Sequence, residues 1–136
     1  MIARRTVLSL AAAALVTAAL ASPAAALVTT PFTQVAFDAA KAAGKPVLVE
    51  VSAPWCPTCK AQKPILSDLR AMPKFKDLVI FEVDFDSQKE VLRGLNVQKQ
   101  STLVVFKGGK EVGRSTGDTK KESIEALLAK SVGASM

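Results

Sequence analysis

The chain has 136 residues, a formal charge of +6 at neutral pH, two cysteines and no histidine. That length holds one domain with one core and no more. The positive charges are scattered (Lys60, Lys63, Lys74, Lys76, Lys107, Lys110, Lys120, Lys121) and not interleaved with aromatic residues, which excludes a nucleic-acid module. Lack of histidine removes the commonest metal ligand and the commonest general base together.

At the N-terminus, Arg4 and Arg5 precede an apolar run, Val7 to Leu20, and small residues ending in Ala24-Ala25-Ala26. This is the three-part layout of a secretory signal peptide. The run is short for a membrane span and ends in small residues and Pro23. We therefore read 1–26 as a cleaved signal and 27–136 as the domain. "ARRTVL" suits a twin-arginine signal as well as an ordinary secretory one, and the route stays open. Export implies the periplasm, a compartment where disulfides persist.

The elements follow in order. Phe32, Val35, Ala36, Ala39 and Ala40 have helical spacing, so a helix is expected over 32–43, ended by Gly44. "VLVEV" (47–51) reads as a strand buried on both faces, broken only by Glu50. "KAQKPILSDLRAM" predicts a helix with Pro64 as a kink. "LVIFEVDFD" alternates as a second strand. Ser87 and Glu90 have capping-box spacing for a short helix ending near Gly94. "TLVVF" is a third strand, and Lys107-Gly108-Gly109-Lys110 turns it into a fourth, "EVGRST". Thr119 and Glu122 repeat the capping-box spacing before a helix with the stripe Ile124, Leu127, Leu128. The order is α-β-α-β-α-β-β-α. The first two strands are joined by a helix and should be parallel, the last two form a hairpin, and helices should cover both faces of this mixed four-stranded sheet.

The only cysteines lie in "PWCPTCK". A brace closing so short a loop stabilises little, which leaves a reagent or a ligand. C-x-x-C beside a strand–helix unit reads as a redox motif. Cys56 falls where the strand hands over to the helix, and unpaired N–H groups with the positive helix end favour a thiolate there. That thiolate is the attacking species in exchange. Cys59, one turn on, can resolve the mixed disulfide. Pro57 gives up an N–H that lacks a helical partner anyway, and Lys60 adds positive charge. Glu50 is costly in an apolar strand unless it has a partner or a job. Burial would raise its pKa and make it the proton acceptor for Cys59; on an edge strand it would simply face water. Glu82 on the next strand either shares Glu50's side and raises that pKa further, or is a solvated strand end beside Asp84 and Asp86.

"VLVEVSAPWCPTCKAQKPIL" resembles the active-site segment of thioredoxins: an apolar strand, an acid six positions before the first cysteine, Trp55, C-x-x-C, and a proline five positions after the second cysteine. "STLVVFKGGKEVGRSTGD" is similar to the family's later segment, so the resemblance spans roughly 32–132. It implies an α/β fold, the thioredoxin-like three-layer α/β/α sandwich. It also implies a thiol–disulfide oxidoreductase with Cys56 as nucleophile, Cys59 as resolving thiol, Glu50 as buried acid, Trp55 as partner contact and Pro64 as kink. No cofactor beyond the Cys56–Cys59 disulfide is implied. The partners would be cysteine-containing exported proteins and a membrane thiol reductant or oxidant that recycles a monomer.

Departures bear on specificity. The acid is Glu, the dipeptide is Pro-Thr, and Ser101 stands where the family has a cis-proline that packs over the sulfurs and helps hold an extended partner peptide. A cis bond before serine costs several kcal/mol, so a trans Gln100–Ser101 bond and a reshaped loop are expected. The Ser101 hydroxyl would bond a thiolate or select an unusual substrate; alternatively the change is simply tolerated. The contact surface is expected from Trp55, Pro57, Gln100, Ser101, Thr102 and Gly117. Two readings compete with the enzyme: a dimer holding a metal or iron–sulfur cluster between two C-x-x-C pairs, and a redox-inert chaperone.

Overall fold

The computed structural model describes residues 29–133, so the signal peptide read over 1–26 lies outside the described residues. The order is β1 (Thr30–Pro31), α1 (Gln34–Ala42), β2 (Val47–Ser52), α2 (Pro57–Arg70), a 3-10 turn (Pro73–Phe75), β3 (Val79–Asp84), α3 (Lys89–Gly94), β4 (Thr102–Lys107), β5 (Lys110–Thr116) and α4 (Lys121–Val132). The sheet has five strands in the order β1-β3-β2-β4-β5, one more than expected. The addition is β1, which pairs parallel to β3 through Thr30 and Pro31. Two residues carry no readable period, and a proline fits an edge because it need not donate there. As expected, β2 and β3 are parallel and β4 and β5 form an antiparallel hairpin. Gly108 and Gly109 both take positive φ at its turn, the backbone that two-residue hairpins require.

Alternation along the central strand β2 builds two cores. Val47, Val49 and Val51 join Phe37 and Ala40 of α1, Leu92 of α3, and Phe32, Phe81 and Phe106. Four aromatic pairs here have centroids between 5.1 and 6.1 Å, mostly edge to face. On the opposite face Leu48 packs with Leu66 and Leu69 of α2 and with Ile124, Leu127 and Leu128 of α4. Each such side chain contributes about 1.5–3 kcal/mol by leaving water. A Cβ at Gly113 would lie 2.9 Å from Leu127 Cδ1, so α4 lies close on β5.

Local expectations shift at three helix starts. Phe32 precedes α1: its N–H donates to Glu82 O at 2.8 Å, continuing the β1 pairing. Thr33 caps the helix instead, its Oγ1 accepting from Ala36 N at 3.2 Å. The buried stripe therefore runs through Phe37 and Ala40, and Val35 is 81% exposed. At α3 the N-cap is Gln88, with no side-chain cap bond. Its amide bridges Asp84 N and Phe32 O, so the Ser87–Glu90 box does not organise this start. At α4 the N-cap is Lys120, with no side-chain cap bond; the Asp118 carboxylate accepts from Lys120 N and Ser123 Oγ just ahead of the helix, and the Thr119–Glu122 box does not organise this start.

Candidate active site

Ala53, Pro54 and Trp55 lead from β2 to Cys56, which is the N-cap residue of α2 with extended backbone, and Pro57 follows in the first helical turn. A cap residue turns its side chain back onto the open N–H groups of the first turn. Here the acceptor is sulfur: Cys56 Sγ accepts from Cys59 N at 3.1 Å. Cys56 and Cys59 form a disulfide with Cα atoms 5.3 Å apart. Both cysteines are about 1% exposed and cluster with Ala53 and Phe85. An N–H donor at the positive end of a helix is the setting that favours a thiolate over a thiol.

Glu50 is not on an edge. It sits in the middle of β2, paired in register with Glu82 on β3 and Leu103 on β4, and is completely buried. Its Oε1 accepts from Lys63 Nζ at 3.3 Å, while the same ammonium donates to Glu82 Oε2 at 2.8 Å. Glu50 Oε2 is buried without a hydrogen-bond partner. A cavity of about 220 Å³ lined by Thr29, Glu50, Lys63, Leu66 and Ser67 adjoins it. Burial pushes the Glu50 carboxyl above its ordinary range; Lys63 pulls it down and Glu82 pushes it up, with burial prevailing. For Lys63, burial acts downward but is outweighed by the bond to Glu82 and the Glu50 charge, so the ammonium is held above its usual value. Glu82 thus shares Glu50's side of the sheet.

The loop opposite the disulfide is built around Ser101, whose φ of 57° is left-handed, a conformation costly for a non-glycine residue. Its N–H donates to Val51 O at 2.8 Å. Its carbonyl accepts from Gly117 N at 3.0 Å and from Gln62 Nε2 at 3.2 Å. Its hydroxyl donates to Gln100 O at 2.6 Å, so in this state the hydroxyl serves the neighbouring carbonyl rather than a sulfur. The Gln100–Ser101 bond is trans. Thr102 Oγ1 donates to Lys99 O at 2.7 Å and lies 3.1 Å from Thr116 Oγ1. Ser101 and Thr102 are buried in this disulfide form, as the two cysteines are. Trp55, Pro57 and Gly117 are exposed and Gln100 half-buried. Trp55, 56% exposed, donates from Nε1 to Asp86 Oδ2 at 2.9 Å and meets the Phe85 ring edge to face at 6.3 Å.

Three residues of the site escaped the sequence reading: Gln62, Lys63 and Asp86. Gln62 is completely buried and clamps two loops, donating to Ser101 O and, at 2.9 Å, to Asp118 O. Its signal was available: Cys59, Gln62, Leu66 and Leu69 form the buried stripe of α2, and a polar residue in such a stripe marks a hydrogen-bonding task. Lys63 and Asp86 carry no such mark, since charged residues on a helix face or after a strand ordinarily face water.

The Thioredoxin family model matches residues 28–130. Trxlp from Edwardsiella tarda, a crystal structure, shares 44% identity over 74% of this chain and 97% of its own, with a TM-score of 0.72. A Chlamydia trachomatis thioredoxin is 38% identical across 62% of this chain and 80% of its own length. Thioredoxin H2-1 of Oryza sativa is 37% identical over 63% of this chain. The match spans only 61% of that rice protein and 58% of its relative Thioredoxin H2-2.

Proposed function

We propose, from the premise that this chain belongs to the thioredoxin family, that it is a thiol–disulfide oxidoreductase acting on cysteines of other proteins. The observation that carries this reading is the N-capping sulfur: Cys56 Sγ receives the Cys59 N–H at the start of α2 and is bonded to the second cysteine. In the reductive direction the Cys56 thiolate attacks a partner disulfide. A bond forms between Cys56 Sγ and one partner sulfur, the partner S–S bond breaks, and the other partner sulfur leaves as a thiolate. Cys59 then gives its proton to Glu50 and attacks Cys56 Sγ. The Cys56–Cys59 bond forms and the second partner sulfur leaves. The partner gains two electrons and the dithiol loses them; the reverse sequence oxidises a partner. Because Cys56 is covered in the disulfide form and packed with Ala53, Cys59 and Phe85, an incoming thiolate reaches it only as these surroundings yield.

The layout of residues 1–26 supports export and hence a periplasmic working place. On this reading the partners are exported proteins, and a membrane thiol donor or acceptor recycles the monomer. No organic cofactor enters the chemistry; the redox centre is the cysteine pair.

Two variants test the reading. Cys56→Ser should abolish reduction of a model protein disulfide, and Cys59→Ser should accumulate a covalent complex with its partner that a reductant dissolves. If Cys59→Ser traps nothing, while protein prepared without air carries stoichiometric metal and dimerises with concentration, the chain is a metal-binding protein and the enzyme reading is overturned.

A further inference from the structure

Glu50, Lys63 and Glu82 form a group whose geometry exceeds what a single buried acid needs. Glu50 and Glu82 face each other across β2 and β3. Lys63 lies one helical turn after Cys59 on α2, so both side chains project from the same helix face, and its ammonium bridges the two carboxylates at 3.3 and 2.8 Å. The Lys63 and Glu82 side chains are 45% and 37% exposed, that of Glu50 only 1%.

We propose that Lys63 and Glu82 are positioning residues for the resolving step, holding Glu50 between two opposed charges so that it can both take the Cys59 proton and release it. This rests on the reading of Glu50 as the acceptor of that proton. With all three groups ionised the set carries one net negative charge. When Cys59 S–H passes its proton to Glu50, the negative charge moves to sulfur as it attacks Cys56. What remains is a neutral carboxyl and an intact Lys63–Glu82 pair. The second carboxylate thus keeps the ammonium paired while Glu50 is protonated, and avoids a stranded charge beside a buried group. The partnerless Oε2 is the oxygen free to receive the proton.

Other facing groups do not compete. From β3, Asp84 lies one pleat beyond Glu82 and opposite Ser52, with its Oδ1 accepting from Asp86 N. From β4 the neighbour is Leu103. From α4 Ile124 and Leu128 turn inward, while its charges Lys121 and Glu125 pair outside with Asp68 and Lys74. From α2 the titratable group in contact with Glu50 is Lys63, and Cys59 lies one turn before it on the same helix.

The test is the rate of mixed-disulfide resolution against pH. It starts from protein carrying one peptide on Cys56 as a preformed mixed disulfide, held at low pH, and follows release of that peptide thiol by Cys59 after a jump in pH. In the native protein the rate should rise as Glu50 ionises. Lys63→Met removes the cation and should move that rise to higher pH; Glu82→Gln removes the opposing anion and should move it to lower pH. At a fixed pH on the rising limb the two should differ by about tenfold or more, one slower and one faster than native. Lys63→Arg should restore the native profile. A structural role alone would slow both variants without opposite displacements. If Lys63→Met does not fold, Glu82→Gln decides: no shift to lower pH overturns the proposal. Glu50→Gln separates the two levels of inference. A rising limb that survives in Glu50→Gln refutes the acceptor reading itself. A limb lost there but unmoved, or moved the same way, in the other two refutes only the roles of Lys63 and Glu82.

Discussion

On the side of the sheet covered by α1 and α3, every inward position of β2 is a valine, and four phenylalanines close around them. On the side covered by α2 and α4 the same strand presents Leu48, then Glu50, then Ser52, against a helix that contributes Cys59 and Gln62. Among the described residues the buried side-chain atoms without a partner are Glu50 Oε2, Gln62 Oε1 and Ser115 Oγ. Ser115 pairs with Leu103 in register, and Leu103 with Glu50, so all three belong to this second side. Polar atoms left unsatisfied in a core are expensive. Their confinement to the side that holds the disulfide sets the two layers apart: around β2 one is lined by valine and phenylalanine, the other holds polar groups beside an apolar cluster of its own.

The comparison can be broken at several depths. The largest effect is expected on the apolar side. Phe37→Ala should cost about 3–5 kcal/mol, seen as a lower urea midpoint, while disulfide exchange per folded molecule stays native. Loss of exchange in the folded variant would mean that the layers are not separable. Next comes Gln62→Leu. It removes one unsatisfied oxygen but strips Asp118 O of its donor and Ser101 O of one of two, for a net loss of about 1 kcal/mol. Amide exchange at Ser101 and Gly117 should quicken as the clamp is lost; unchanged protection there would deny Gln62 its clamping role.

The smallest effect is a slope. The Glu50 carboxyl titrates above its ordinary 4.5 in the folded protein. Between 4.5 and that raised value the folded state holds a proton that the unfolded chain has released. Stability contributed by this group is therefore fully present below 4.5 and is lost as pH rises to the folded value. Glu50→Gln should flatten this part of the stability–pH curve and raise the thermal midpoint at neutral pH. A curve with the native slope in that variant would assign the titration to another group.

What sequence revealed, and what it hid, follows the same division. The β2–α2 unit was legible because a continuous apolar run, a C-x-x-C and a proline at the helix start each constrain the backbone in one way. Glu50 was legible because a carboxylate has no bland place in such a run. Strand β1 was not, since two residues have no period. The stripe of α1 is ambiguous in sequence because alanines mark both faces of a helix, whereas the rotation is decided by where Phe37 finds other aromatic rings. The Ser87–Glu90 and Thr119–Glu122 boxes do not form because spacing shows which residues can cap, and competition from other partners decides which do. At Ser101 the trans bond is legible in sequence, but its partners Val51, Gly117 and Gln62 are not, and neither is the bridge from Lys63 to Glu82, because these come from other elements.

The central claim, that the start of α2 makes Cys56 a nucleophile, is tested most directly by titrating that thiol in the reduced Cys59→Ser protein through thiolate absorbance and alkylation rate. The account predicts a pKa clearly below the free-cysteine value of about 8.5, with alkylation at neutral pH correspondingly fast. A value at or above that figure would contradict it.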